Sequence, residues 1–244
     1  MTDTSQPSAT AETGYQPTVT AAHAKQIHRW HEDAYQSLRE EAGAGQTFDY
    51  LGLTLDVPPE VMPITPVSDL LGEAVLAEVK TCDRVLDMGT GSGVNAILAA
   101  SRATDVVAVD INPRAVEAAR HNAARNGVSE RVDVRRSDVF SAVDGDFDLI
   151  IFDPPFRWFA PRDLLEMAAT DANYGTLTTF VRAAGRQLRA NGRMLIFFGT
   201  SGDIGYLRQL LAEEGFTPEV VATRDVMKDG MRVDYYTYRV TRTA

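Results

Sequence analysis

Cysteine is nearly missing from this chain: Cys82 is the only one among 244 residues. A lone thiol closes no internal disulfide, which points to a reducing, cytoplasmic setting. Cys82 precedes an apolar run instead of following it, on the side away from an expected ligand, and is not read as a nucleophile. Of four histidines, His23, His28 and His31 share one polar stretch and His121 stands apart. His28 and His31 have helical spacing, but a solvated face is the plainer reading, and no metal is expected. No apolar run nears the roughly 18 residues of a membrane span, and no basic-then-apolar leader opens the chain. Basic residues are outnumbered 24 to 34, a net charge of −10. That excludes a broad phosphate-binding surface, with Arg135 and Arg136 the one small basic cluster.

What remains is 44% hydrophobic, enough for one sizeable core and a small appendage. Residues 1–18, rich in Thr, Ser, Ala and Pro, are expected to be a disordered tail. Residues 19–65 read as an N-terminal helix and a hairpin that could cap a substrate entrance. The helix carries Ile27, Trp30, Ala34 and Leu38 on one stripe and stops at Gly43-Ala44-Gly45; the hairpin turns at Gly52. After Pro58, Pro59, Pro63 and Pro66 a helix begins, capped by Ser68 or Asp69. Residues 66–244 form the main domain.

From Arg84 onward strands and helices alternate. Strands are expected over 84–88, 106–110, 132–135, 147–152, 193–198, 220–224 and 233–240, and helices over 94–102, 113–126, 174–189 and 204–214. This pattern predicts an α/β, Rossmann-like, doubly wound sheet of seven mostly parallel strands with an antiparallel last strand. Ligands of such sheets sit beyond the strands' carboxyl ends.

Four of those ends carry distinctive residues. Asp87-Met88-Gly89-Thr90-Gly91-Ser92-Gly93 joins a strand to a helix start, where glycines let a ligand approach the backbone and unpaired N–H groups face it. The third glycine falls one residue too early for G-x-G-x-x-G, so a dinucleotide is the weaker reading. Asp87 would repel a pyrophosphate and suits a cationic group. Asp110, followed by Ile111, can accept from both hydroxyls of a ribose; Asp138 and Val139 can meet an adenine. Asp153-Pro154-Pro155-Phe156 ends the fourth strand, and Trp158 and Phe159 just after it suggest a substrate wall.

The segments 85–93, 108–113, 118–123 and 147–156 resemble the class I S-adenosylmethionine-dependent methyltransferases, and most of all the HemK-type group of release-factor glutamine N-methyltransferases. The likeness runs from about Gly52 to Phe156, with Pro66, Ser68 and Asp69 on that group's Pro-x-Thr-Glu positions. It implies S-adenosylmethionine as cofactor, held by Asp87, Met88, Gly89, Thr90, Gly91, Gly93, Asp110, Ile111, Asp138 and Val139. It also implies N-methylation at Asp153, Pro154, Pro155 and Phe156, and Tyr174 with Gly175 loosely resembles a later segment of the family that shapes the substrate loop. Asp153 and Phe156 stand where the group has Asn and Tyr, and one helix with a hairpin replaces its N-terminal helical bundle. The expected acceptor is therefore an amide, amine or amino-heterocycle of a small molecule or peptide side chain. Methylation of an RNA or DNA base is the alternative that Asp153 favours and the net charge opposes; a non-catalytic cofactor-binding module is a third.

Overall fold

The computed structural model describes residues 14–41, 45–228 and 230–243. Helix α1 (Ala21–Glu41) leads into a small hairpin, β1 (Gln46–Tyr50) and β2 (Leu53–Val57). Tyr50 pairs with Leu53, leaving a two-residue turn whose Leu51 and Gly52 both have positive φ, 48° and 82°. That is the turn whose twist matches a hairpin. Helix α2 (Asp69–Glu78) follows.

The main sheet comprises β3 (Arg84–Met88), β4 (Asp105–Asp110), β5 (Val132–Arg136), β6 (Phe147–Phe152), β7 (Leu188–Gly199), β8 (Phe216–Lys228) and β9 (Met231–Arg242). Their spatial order is β5-β4-β3-β6-β7-β9-β8. The first five pair in parallel, and β9 runs antiparallel to both its neighbours. Chain order reverses at β3, between β4 and β6, which opens a crevice beyond the tip of β3.

Side chains alternate between two buried faces. Val85, Val106, Ala108, Leu149, Ile151, Leu195 and Phe197 face one core with α2, α3 (Val94–Ala100) and α4 (Pro113–Arg125). Leu86, Val107, Val109, Ile150, Phe152, Ile196 and Phe198 face the other with α6 (Gly175–Gln187) and α7 (Ile204–Glu213). A fully buried Leu or Phe contributes about 1.5–3 kcal/mol, so the tips between these faces rest on a rigid base.

Several expectations are corrected. The last two strands are 13 and 12 residues long, and β7 begins at Leu188 instead of 193. Charged residues at alternate positions, such as Arg224, Arg232 and Asp234, mask an inward row of Met231, Val233 and Tyr235. A short helix, α5 (Leu164–Met167), was not anticipated; the Asp163 carboxylate accepts from the Glu166 amide to start it. Ser68 makes no side-chain cap bond; it accepts from the Thr65 amide at 3.0 Å, and Asp69 pairs with Arg224 at 2.7 Å. The buried stripe of α1 runs through Ile27, Trp30, His31 and Tyr35, because it docks on polar partners as well as apolar ones. The side chain of Leu38 and the stop at 42–44 lie outside the described residues, as does tail segment 1–13. Residues 14–18 do not fit the tail reading, since Tyr15 and Thr18 are anchored on Asp203.

Candidate functional site

Asp87 lies one strand position past Leu86 and so faces α3. Its carboxylate accepts from the Thr90 hydroxyl at 2.6 Å and the Ala96 amide at 3.0 Å. The turn that follows has positive φ at Gly89, Gly91 and Gly93, the last buried where a Cβ would stand 2.9 Å from the Ala119 backbone. Gly93 thus sets how closely α3 and α4 approach. Burial, reinforced by the charge of Asp110 and only partly offset by these two hydrogen bonds, pushes the Asp87 pKa up to about 7.

Asp110, at the tip of β4, accepts from the Gly91 amide (2.9 Å) and the Asn112 amide (2.9 Å), leaving lone pairs on both oxygens. Burial raises its pKa as well. Ile111 beside it is an exposed apolar residue, 36% open. At the next tip Asp138 is exposed, while Val139 adopts φ 47° and turns its side chain into the second core. A β-branched residue in that conformation is strained, and here the strain lies between a strand tip and the crevice. Met88 and Thr90 are buried. Together with Asp87 they build the turn, while Gly89, Gly91, Asp110, Ile111 and Asp138 present the open surface.

Asp153 follows β6, across the crevice. Among the described residues no donor is set on its carboxylate, and none on the Pro154 carbonyl. The side chain has an open surface toward solvent but is otherwise crowded by protein. That desolvation, with the charge of Asp87, raises its pKa above the usual carboxylate range. Phe156 is half-buried against Phe197, Phe198 and Tyr235, with ring centroids 5.5, 5.1 and 6.2 Å away. The Tyr50 hydroxyl, on the hairpin, packs on Gly72; burial raises its pKa, and the charges of Asp69, Glu73 and, least, Asp153 raise it further.

Tyr174, expected to shape the substrate loop, does so without reaching the surface. It is fully buried, at φ 54°; its hydroxyl donates to the Phe156 carbonyl at 2.5 Å and accepts from the Asp203 amide at 2.7 Å. It holds the 153–156 turn from behind. Trp158 is half-buried in a cluster with Tyr15, Phe159 and Tyr174. Gly202 completes the support, because a Cβ there would collide with the Phe156 carbonyl.

Two further residues escaped the sequence reading. Asn122, fully buried on α4, donates to the carbonyls of Asp56 (2.9 Å) and Ser92 (2.8 Å) and accepts from the Asp56 amide (2.8 Å). It ties the hairpin to the glycine turn, and a polar residue on an otherwise apolar helical stripe was its signal. Arg157 stacks on Trp30 at 4.4 Å and donates to His31 Nδ1 at 3.3 Å. His31 donates from Nε2 to Glu166 (2.8 Å), so its ring is the neutral tautomer; burial and the Arg157 charge hold its pKa low against the pull of Glu166. His31, Glu32 and Glu166 could bring one ligand atom each within 4.8 Å of one another, but Arg162 bonds both carboxylates and takes the cation's place. Although burial pushes Glu166 upward, the bonds from Arg162 and His31 prevail and hold its pKa at about 2. His28 packs instead on Phe159.

With this geometry established, comparisons with known proteins align with it. Residues 66–224 match the family described as "Methyltransferase small domain". The chain is 30% identical over 199 residues to a release factor glutamine methyltransferase of Agrobacterium fabrum, covering 74% of this chain and 67% of that protein. Other curated relatives are matched over smaller shares of their length, for example 58% and 22%. Among solved structures, a ribosomal protein L11 methylase from Lactobacillus delbrueckii superposes with a TM-score of 0.55 at 23% identity, over 77% of this chain and 84% of that one. A 16S rRNA N2 G1207 methyltransferase of T. Thermophilus, solved with AdoMet and guanosine, superposes with a TM-score of 0.58 at 22% identity, over 82% and 50%. At these identities the two structures speak for the fold alone.

Proposed function

We propose, from the premise that this chain belongs to the methyltransferase small domain family as a HemK-type class I S-adenosylmethionine-dependent methyltransferase, that it methylates a nitrogen presented at Asp153–Phe156. The acceptor is an amide, amine or amino-heterocycle of a small molecule or a peptide side chain. The observation behind this reading is the pair of unengaged acceptors, the Asp153 carboxylate and the Pro154 carbonyl, beside a crevice rimmed by Gly89, Gly91 and Asp110.

The donor set suits the cofactor. Asp110 has lone pairs for ribose hydroxyls and Ile111 an apolar surface for a base. Gly89 and Gly91 let the cationic amino acid part come close, with the Asp87 carboxylate beneath the turn to favour its charge. When bound, S-adenosylmethionine supplies a methyl group already activated on a sulfonium.

What the chain must do is place a lone pair in line with that methyl. Asp153 and the Pro154 carbonyl accept the nitrogen's N–H groups, which fixes its direction and favours the positively charged transition state. Consecutive prolines cannot donate and limit how the carbonyl turns. Tyr174 and Gly202 hold the turn from beneath, and the half-open ring of Phe156 offers a stacking face for a planar acceptor. Its raised pKa also suits Asp153 to take up the proton that the methylated nitrogen releases. The nearness of Tyr50 of the hairpin to Asp153 supports a capping role for residues 19–65.

The test is transfer of label from methyl-tritiated S-adenosylmethionine into fractionated cell extract. Asp153→Ala is expected to lower turnover at least about 100-fold while cofactor affinity changes only a few fold; Asp153→Asn, which keeps an acceptor oxygen, falls between. Undiminished transfer by Asp153→Ala overturns the reading. Base methylation, which an aspartate in the first place of the motif favours, predicts label that nuclease releases and binding with a steep salt dependence. A net charge of −10 weighs against it.

A further inference from the structure

We infer that Arg157 is the specificity residue for a carboxylate on the acceptor molecule, so that the nitrogen methylated at Asp153 belongs to a substrate carrying an anionic group. The inference deepens the reading above and rests on it.

Arg157 immediately follows the acceptor turn. It is half-buried, and its Nε is shielded from water with no hydrogen-bond partner. Its two close contacts are neutral: the face of Trp30 and the Nδ1 of His31. Among the described residues no carboxylate lies within ion-pair distance. Glu166, the nearest along this chain of bonds, stands behind His31 and is engaged by Arg162 through three of its hydrogen bonds. The other arginine in this region, Arg162, is saturated by two glutamates. In a chain with an acid excess, one guanidinium is thus held without a direct counter-charge.

Its position explains the arrangement. Arg157 and Asp153 act electrostatically on the same Tyr235, one lowering and the other raising the phenol's pKa beneath a dominant effect of burial. Tyr235 in turn packs on Phe156. Guanidinium and acceptor carboxylate thus lie within electrostatic reach of one phenol, whose ring packs on Phe156 of the turn between them. A partly desolvated cation without an anion is costly, and the open edge of the guanidinium can donate to a carboxylate in charge-assisted bonds. Trp30 and His31 fix the guanidinium's plane from the N-terminal helix, which gives α1 a part in recognition.

The probes are benzoate and its neutral counterpart benzamide, titrated into full-length protein saturated with S-adenosylhomocysteine and followed by tryptophan fluorescence, since Trp30 stacks on the guanidinium. Benzoate is expected to bind the wild type at least about 10-fold more tightly than benzamide does. Arg157→Gln should erase that preference and Arg157→Lys restore part of it, with S-adenosylhomocysteine affinity changed less than about twofold in both. The comparison within the wild type stands even if a variant folds poorly. Equal binding of the two probes, or an unaltered benzoate preference in Arg157→Gln, overturns the assignment. So does a large loss of S-adenosylhomocysteine affinity with benzoate binding intact, which would give Arg157 to the cofactor. A wild type that binds no S-adenosylhomocysteine condemns the methyl-transfer reading itself, whereas one that binds it without separating the probes condemns only the role of Arg157.

Discussion

Asp87 is kept in a place that disfavours its charge, and that makes it the residue through which pH reaches the site. Its pKa rises from 3.8 to about 7 on folding, chiefly by burial. In the free protein the folded state therefore holds a proton that the unfolded chain has released, and the stability this gives is lost as pH rises from the unfolded value through about 7. A cation bound beside Asp87 favours the ionised form. Cofactor binding should then release a proton, with affinity rising as pH climbs toward about 7 and levelling above it. Calorimetry of S-adenosylhomocysteine across this range, in buffers of different ionisation heat, measures both; a flat profile contradicts the assignment. Asp87→Asn should weaken binding about tenfold, roughly 1.4 kcal/mol, yet raise the Tm of the free protein at alkaline pH, since the amide can still accept from Thr90 and Ala96. At this scale Asp87, Asp110 and Asp153 were legible because each ends an apolar run. Arg157 and Asn122 were not: their meaning lies in which distant groups surround them, and a sequence does not display that.

Among elements, the acceptor turn depends on a layer beneath it. The 3-10 turn at Ala172–Tyr174, with Asn173 and Tyr174 both at positive φ, and the loop before α7 meet at the bond between the Tyr174 hydroxyl and Asp203. Tyr174→Phe removes one hydrogen bond to the Phe156 carbonyl and leaves the Asp203 amide without its acceptor. The expected cost is about 1–3 kcal/mol in denaturant unfolding, with turnover lowered about 10-fold or more and cofactor affinity unchanged. A variant that loses stability alone would show that the turn does not need this support. Tyr174 was expected to shape the substrate loop from a loose family resemblance, and its conformation turns it under the motif. The parallel strands and their helices were plain from apolar runs alternating with helical stripes. The long β8–β9 pair was only half visible, because charged residues such as Arg224, Asp225, Arg232 and Asp234 break up its apolar row.

On the scale of the whole molecule, strand order does the decisive work. The reversal at β3 brings residues 87, 110 and 153, far apart in sequence, around one crevice between two buried faces. The N-terminal segment is part of the same assembly: α1 meets the loop after the acceptor turn, and Tyr15 and Thr18 reach Asp203, which in turn holds Tyr174. No helix among the described residues is long and apolar enough to cross a membrane. The sheet was foreseeable from the repeated strand-helix rhythm, but the docking of α1 was not, since it rests on Tyr35 with Asp163 and His31 with Glu166, pairs separated by most of the chain.

The most direct measurement is a crystal structure of the protein with S-adenosylmethionine. The account predicts ribose hydroxyls on Asp110, the amino acid part over the Gly89–Gly93 turn, and the methyl group facing the Asp153 carboxylate and Pro154 carbonyl. A cofactor lodged elsewhere, or one whose methyl group faces away from that turn, contradicts it.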